Sequence, residues 1–78
     1  MSEVEQTLLA AAGQFFEVEA ESIALEDDFF QKFGINSLQA LNLLTQIEKT
    51  FDVEIPDYEL QGVTTFKALA AIIEERKV

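Results

Sequence analysis

The chain is expected to be all-α, a four-helix bundle with a short third helix and a long first loop. Three observations predict it. Apolar residues return every three or four positions in three separate stretches, helix-start and helix-stop residues punctuate those stretches, and no internal repeat or low-complexity run interrupts them. Seventy-eight residues, 49% of them hydrophobic, suffice for one small core, so residues 1–78 are expected to form a single domain. The architecture follows from packing such helices around that core.

Val4, Leu8, Ala11, Ala12 and Phe15 share one helical face and predict a first helix over about 2–16. Residues 17–35 lose the period and read as a long loop over the bundle, with a short helical turn near 26–31. Ile23, Leu25, Phe29, Phe30 and Phe33 are its expected anchors, and a loop of this length in a small domain calls for such anchors or for a function. Asn36 is a good N-cap, and Gln39 three residues later completes a capping-box pattern for a second helix over 37–51. Its apolar stripe is expected to contain Leu38, Leu41, Leu44 and Phe51, widened by Leu43 and Ile47 into the broad face of a central helix. Pro56 stops the chain and suits the first position of a short third helix over 57–61, which Gly62 ends. Thr64 or Thr65 can cap a fourth helix, in which Phe66, Leu69, Ile72 and Ile73 recur and Arg76 and Lys77 suit the dipole at its end.

Fifteen acidic residues against five basic give a net charge of -10. That balance speaks against binding nucleic acid or an anionic membrane and favours basic protein partners. Without cysteine there is no disulfide framework and no thiolate metal site. The longest apolar run, residues 8–12, is too short to span a bilayer, and the acidic start lacks the basic region of a signal peptide, so a cytoplasmic monomer without membrane insertion is the expectation. Met1 and the absence of a linker at either end favour a free-standing protein. The acids Asp52, Glu54, Asp57 and Glu59 invite a calcium reading, but Pro56 interrupts them and the EF-hand glycine is missing, so no metal site is expected.

Ser37 is the chemical handle. It falls in the first turn of the second helix, where unpaired amides and the helix dipole favour a bound or attached phosphate. Taken in isolation, a serine near a helix start is most often only a cap or a solvated residue. With no histidine in the chain to act as its base, nucleophilic catalysis by Ser37 is not expected, and the chain is not expected to be an enzyme.

The stretch Gly34-Ile35-Asn36-Ser37-Leu38 resembles the Gly-x-Asp-Ser-Leu motif of the acyl and peptidyl carrier proteins. The resemblance extends to Asp27-Asp28-Phe29-Phe30 before it, to Ile47-Glu48-Lys49-Thr50-Phe51-Asp52-Val53-Glu54-Ile55-Pro56 after it, and to Val63-Thr64-Thr65-Phe66 near the end. It implies the same four-helix fold and a covalent 4'-phosphopantetheine arm on Ser37. A separate phosphopantetheinyl transferase would install the arm from coenzyme A with magnesium. The arm's thiol would carry acyl or aminoacyl groups as thioesters between a loading enzyme and downstream synthase or transferase enzymes. Leu38 would help dock the transferase, or serve as ordinary packing; Gly34 would supply an unusual backbone conformation, or be a plain loop glycine. Val53, Ile55 and Tyr58 could line a pocket for a carried chain, or simply pack.

Two departures from that family bear on its partners. Asn36 replaces the usual aspartate, keeping the cap but removing a charge, which points to a promiscuous transferase of the peptide-synthesis type. Gln39, Asn42 and Gln46 stand where fatty-acid carriers often have acids. With Asp27-Asp28-Phe29-Phe30, this leans toward polyketide, nonribosomal-peptide or modified-lipid pathways. The alternative is an unmodified acidic adaptor that keeps the fold and binds a basic protein.

Overall fold

The computed structural model describes residues 2–76. Four α-helices, α1 (Glu3–Phe16), α2 (Phe29–Phe33), α3 (Ser37–Phe51) and α4 (Phe66–Arg76), are joined by loops carrying 3-10 turns at Ala20–Ser22 and Asp57–Leu60. No strand occurs among the described residues; a single antiparallel bridge pairs Asp28 with Thr65. Lys77, expected to complement the last helix, lies outside the described residues.

α1 begins with a reciprocal cap: Ser2 Oγ accepts from the Glu5 amide while Glu5 Oε1 accepts from the Ser2 amide. It packs against both α3 and α4. Leu8, Ala12, Leu43, Ile47, Phe66 and Ile73 are at the centre of this contact and are essentially closed to water. Burying each large apolar side chain contributes about 1.5–3 kcal/mol relative to exposure. At its C-terminus α1 turns through Glu17 in the left-handed region (φ 58°), and Val18 N–H returns to the Gly13 carbonyl at 2.9 Å. Gly13 is buried under that turn.

The long loop is anchored as expected, with Ile23 and Phe29 buried and Leu25, Phe30 and Phe33 half-buried. Its helical segment, expected near 26–31, is instead α2, because Asp28 caps it by accepting from the Phe30 and Gln31 amides. Two backbone bonds tie this segment to the start of α4: Phe29 N–H to Thr64 O (2.9 Å) and Lys67 N–H to Leu25 O (2.8 Å). Phe33 stacks on Phe16 with ring centroids 3.8 Å apart and meets Phe66 edge-on, so the loop is held by aromatic contact as well.

The expected third helix over 57–61 is a 3-10 turn, Asp57–Leu60, with Pro56 as the residue before it rather than its first member. Its backbone bonds close over three residues, Glu59 N–H to Pro56 O and Val63 N–H to Leu60 O, both at 3.0 Å, between Pro56 at an extended ψ of 146° and Gly62 at φ 80°. Thr65, of the two threonines considered, caps α4 by accepting from Ala68 N–H at 3.2 Å.

Candidate functional site

α3 covers 37–51 as its sequence indicates, and its capping box is complete: Asn36 Oδ1 accepts from the Gln39 amide at 2.9 Å, and Gln39 Oε1 accepts from the Asn36 amide at 3.0 Å. The Ala40 amide bonds to the Asn36 carbonyl. Of the first four amides of α3, those of Ser37 and Leu38 are thus left without a partner among the described residues. Just before the cap, Gly34 ends α2 in the left-handed region (φ 61°, ψ 31°). A side chain there would meet no neighbour, so the backbone angle is what calls for glycine. This favours the conformational role for Gly34 over the plain loop residue.

Ser37 is exposed, and its hydroxyl makes no hydrogen bond among the described residues. The chain's other two serines are engaged: Ser2 Oγ donates to Glu74 and accepts from Glu5 N–H, and Ser22 Oγ donates to the Glu19 carbonyl. Ser37 also stands on the helical stripe continued by Ala40, Leu44, Ile47 and Phe51, which turns inward. It therefore forms part of the wall of an apolar groove of about 250 Å³. Phe29 and Phe30 of α2, Leu44 of α3, Leu60 of the 3-10 turn and Leu69 of α4 complete most of that wall.

One expectation is corrected here, and of two readings for Val53, Ile55 and Tyr58 the pocket lining is set aside. Leu38 and Leu41 do not lie on the core stripe of α3; they are 66% and 49% exposed, because the inward face runs through Leu43, Leu44, Ile47 and Phe51. Nor do Val53, Ile55 and Tyr58 line the apolar groove. Ile55 is buried in the core with its amide on Glu48 Oε2 (2.8 Å), Tyr58 is 71% exposed, and Val53 borders a polar surface hollow at the far end of α3. The groove residues that sequence reasoning missed, Phe30, Ala40, Leu60 and Val63, come from separate segments whose meeting no local pattern announces.

Asp27 accepts from Ala24 N–H at 2.8 Å, and this bond holds its carboxyl below the usual carboxylate range against the opposing cost of desolvation; Lys32, with Nζ at 3.4 Å, adds to the lowering. Glu59 is paired with Arg76.

These features suit a phosphodiester. Free amides at the start of a 15-residue helix attract anionic oxygens, and neutral Asn36 and Gln39 beside them do not repel it. A flexible arm leaving Ser37 would meet solvent on one side and apolar surface on the other.

No helix among the described residues is long and apolar enough to cross a membrane. The family model described as "phosphopantetheine attachment site" matches residues 6–73, which takes in every helix core and the whole Ser37 region. Fold, groove and match agree that this chain belongs to the phosphopantetheine-attachment family and takes a covalent 4'-phosphopantetheine group in a carrier role.

Proposed function

We propose that Ser37 is the attachment residue and that the protein tethers acyl or aminoacyl groups for a specialised pathway of the polyketide, nonribosomal-peptide or modified-lipid kind. The observation that carries the assignment is the Ser37 hydroxyl itself: solvent-facing, without a hydrogen bond among the described residues, and beside two free helix amides.

Ser37 Oγ would displace adenosine 3',5'-bisphosphate from coenzyme A, forming one oxygen–phosphorus bond as the pyrophosphate linkage breaks, with its proton passing to the transferase. The base would be external, because the chain has no histidine and no side chain among the described residues hydrogen-bonds the Ser37 hydroxyl. The Ser37 and Leu38 amides would hold the phosphate oxygens, and the capping box keeps the helix start in place. The attached arm supplies a terminal thiol that holds its cargo as a thioester. The protein's part is to hold, present and release the arm, while partner enzymes perform the reactions. Asn36, and the uncharged Gln39, Asn42 and Gln46 on α3, support partners other than those of central fatty-acid synthesis.

Intact mass after incubation with coenzyme A, magnesium and a promiscuous phosphopantetheinyl transferase tests the assignment. The parent should gain one phosphopantetheine group and Ser37→Ala none. A gain in folded Ser37→Ala, or no gain in the folded parent beside an active control carrier, would refute it; the second result would favour an unmodified adaptor.

A further inference from the structure

Asn36 and Asn42 are the two asparagines of the chain, and the fold treats them differently. Asn42 lies well inside α3, where the amide of the next residue, Leu43, is committed to the helix ladder. Asn36 precedes the helix with extended angles (φ -99°, ψ 179°), is exposed, and is followed by Ser37, whose amide has no partner among the described residues. Asn36 Oδ1 accepts from the Gln39 amide at 2.9 Å, whereas its Nδ2 makes no hydrogen bond among the described residues. A side-chain carbonyl polarised by a fixed donor, a free leaving group and an unengaged backbone nitrogen one residue on therefore stand together.

We infer that Asn36 is a site of self-modification, losing its side-chain amide to attack by the Ser37 backbone nitrogen, and that an arm on Ser37 suppresses the reaction. The Ser37 nitrogen gives its proton to hydroxide and bonds to Asn36 Cγ. The negative charge that develops on Oδ1 meets the Gln39 N–H and the positive end of α3. The Cγ–Nδ2 bond breaks, Nδ2 takes a proton from water and leaves as ammonia, and a second water opens the five-membered imide. Opening at Cγ leaves an aspartyl side chain, which keeps the cap acceptor. Opening at the main-chain carbonyl carbon routes the backbone through Cγ, adds a methylene before Ser37 and destroys the capping box. Ring closure needs rotation about the Cα–C bond of Asn36, which strains only the first turn of α3, where helices fray. At Asn42 the same rotation would break the helix interior. The suppression rests on Ser37 as the attachment residue: phosphate oxygens accepting from Ser37 N–H withhold the nucleophile. An unloaded molecule thus ages at its own attachment site, and a loaded one is protected.

Apo and phosphopantetheinylated protein held at pH 8 and 37 °C test this, with amide loss read by intact mass, its position by peptide mapping and folding by circular dichroism. In the folded apo protein the acid should appear at Asn36 at least about tenfold faster than at Asn42, because ring closure at Asn42 must first break helix hydrogen bonds. In the loaded protein the reaction at Asn36 should slow by at least about threefold, as a charge-assisted bond holds the Ser37 amide. Ser37→Pro removes the attacking N–H at the first helical position, where proline is well accepted after an extended residue, so it should fold and keep Asn36 intact. Equal rates at Asn36 and Asn42, a folded Ser37→Pro protein that converts at the parent's rate, or an Asn36 that survives in the folded parent while the urea-unfolded chain converts would overturn the site. Equal rates for apo and loaded protein would overturn the protection. A folded parent that accepts no phosphopantetheine overturns the attachment reading and the protective arm with it, while the apo-protein rates still decide the Asn36 site.

Discussion

Gly13→Ala sets two physical effects of opposite sign against each other. In an open helix interior the change would stabilise by about 1 kcal/mol, since alanine is the better helix former. Gly13, however, is buried under the turn that leaves α1. A Cβ there would stand 2.8 Å from the Val18 carbonyl oxygen and 3.3 Å from the Ala20 nitrogen, and both are backbone atoms with no rotamer to change. Forcing them apart costs about 1–3 kcal/mol as overpacking. If the turn moves away, the 2.9 Å bond from Val18 N–H to the Gly13 carbonyl weakens as well, at roughly 0.5–1.5 kcal/mol. Packing wins, with a net loss of about 1–3 kcal/mol, or a fall in Tm of roughly 5–20 °C for a domain of this size. Thermal and urea unfolding followed by circular dichroism measure it. Ala10→Gly, at an exposed site on the same helix, is the control and should lose about 1 kcal/mol through propensity alone. A Gly13→Ala protein with a Tm equal to or above the parent's would refute the close approach of α1 and its following turn.

Asn36→Ala removes a cap acceptor and should cost about 1 kcal/mol in urea unfolding, whereas Asn36→Asp keeps the acceptor, adds charge at the positive end of α3 and should match or exceed the parent; equal stability for all three would show that the box contributes nothing. Asp27 gives a pH test. Its folded-state pKa lies below the ordinary 3.8, so its contribution is present above that value and is lost as pH falls through the lowered one. Asp27→Asn should therefore flatten the acid end of the stability-versus-pH curve; an acid limb identical to the parent's would remove Asp27 from the account.

Helix starts were the most legible part of the sequence, because a cap is a local contract between residues three apart. Asn36 with Gln39 fixes the first residue of α3. The stops of α1 and α3 fall at Phe16 and Phe51, as their apolar periods indicate, but the way the chain turns there was not legible: Glu17 and Asp52 are left-handed without being glycine, and neither advertises that conformation. The stripe of α3 was misread because Leu38 and Leu41 are as apolar as Leu43 and Leu44; only the positions of α1 and the loop decide which leucines face inward. The same reason hid the groove. Its walls come from residues more than thirty positions apart, such as Phe30 and Leu69, so periodicity within one helix cannot show them. The backbone geometry around Ser37 was legible because it is local: a glycine that permits the turn, a cap, and the first helical residue.

The two backbone bonds from 25 and 29 to the start of α4 link an early part of the chain to a late one. Five residues are too few to hold a helix unaided, so α2 depends on that link, on its aspartate cap and on its aromatic contacts for its existence. During synthesis, the wall beside Ser37 can therefore close only after residues 64–69 have emerged and docked. A nascent chain stopped short of them would display the serine without its groove, so the architecture makes a finished site a late event in the life of each molecule.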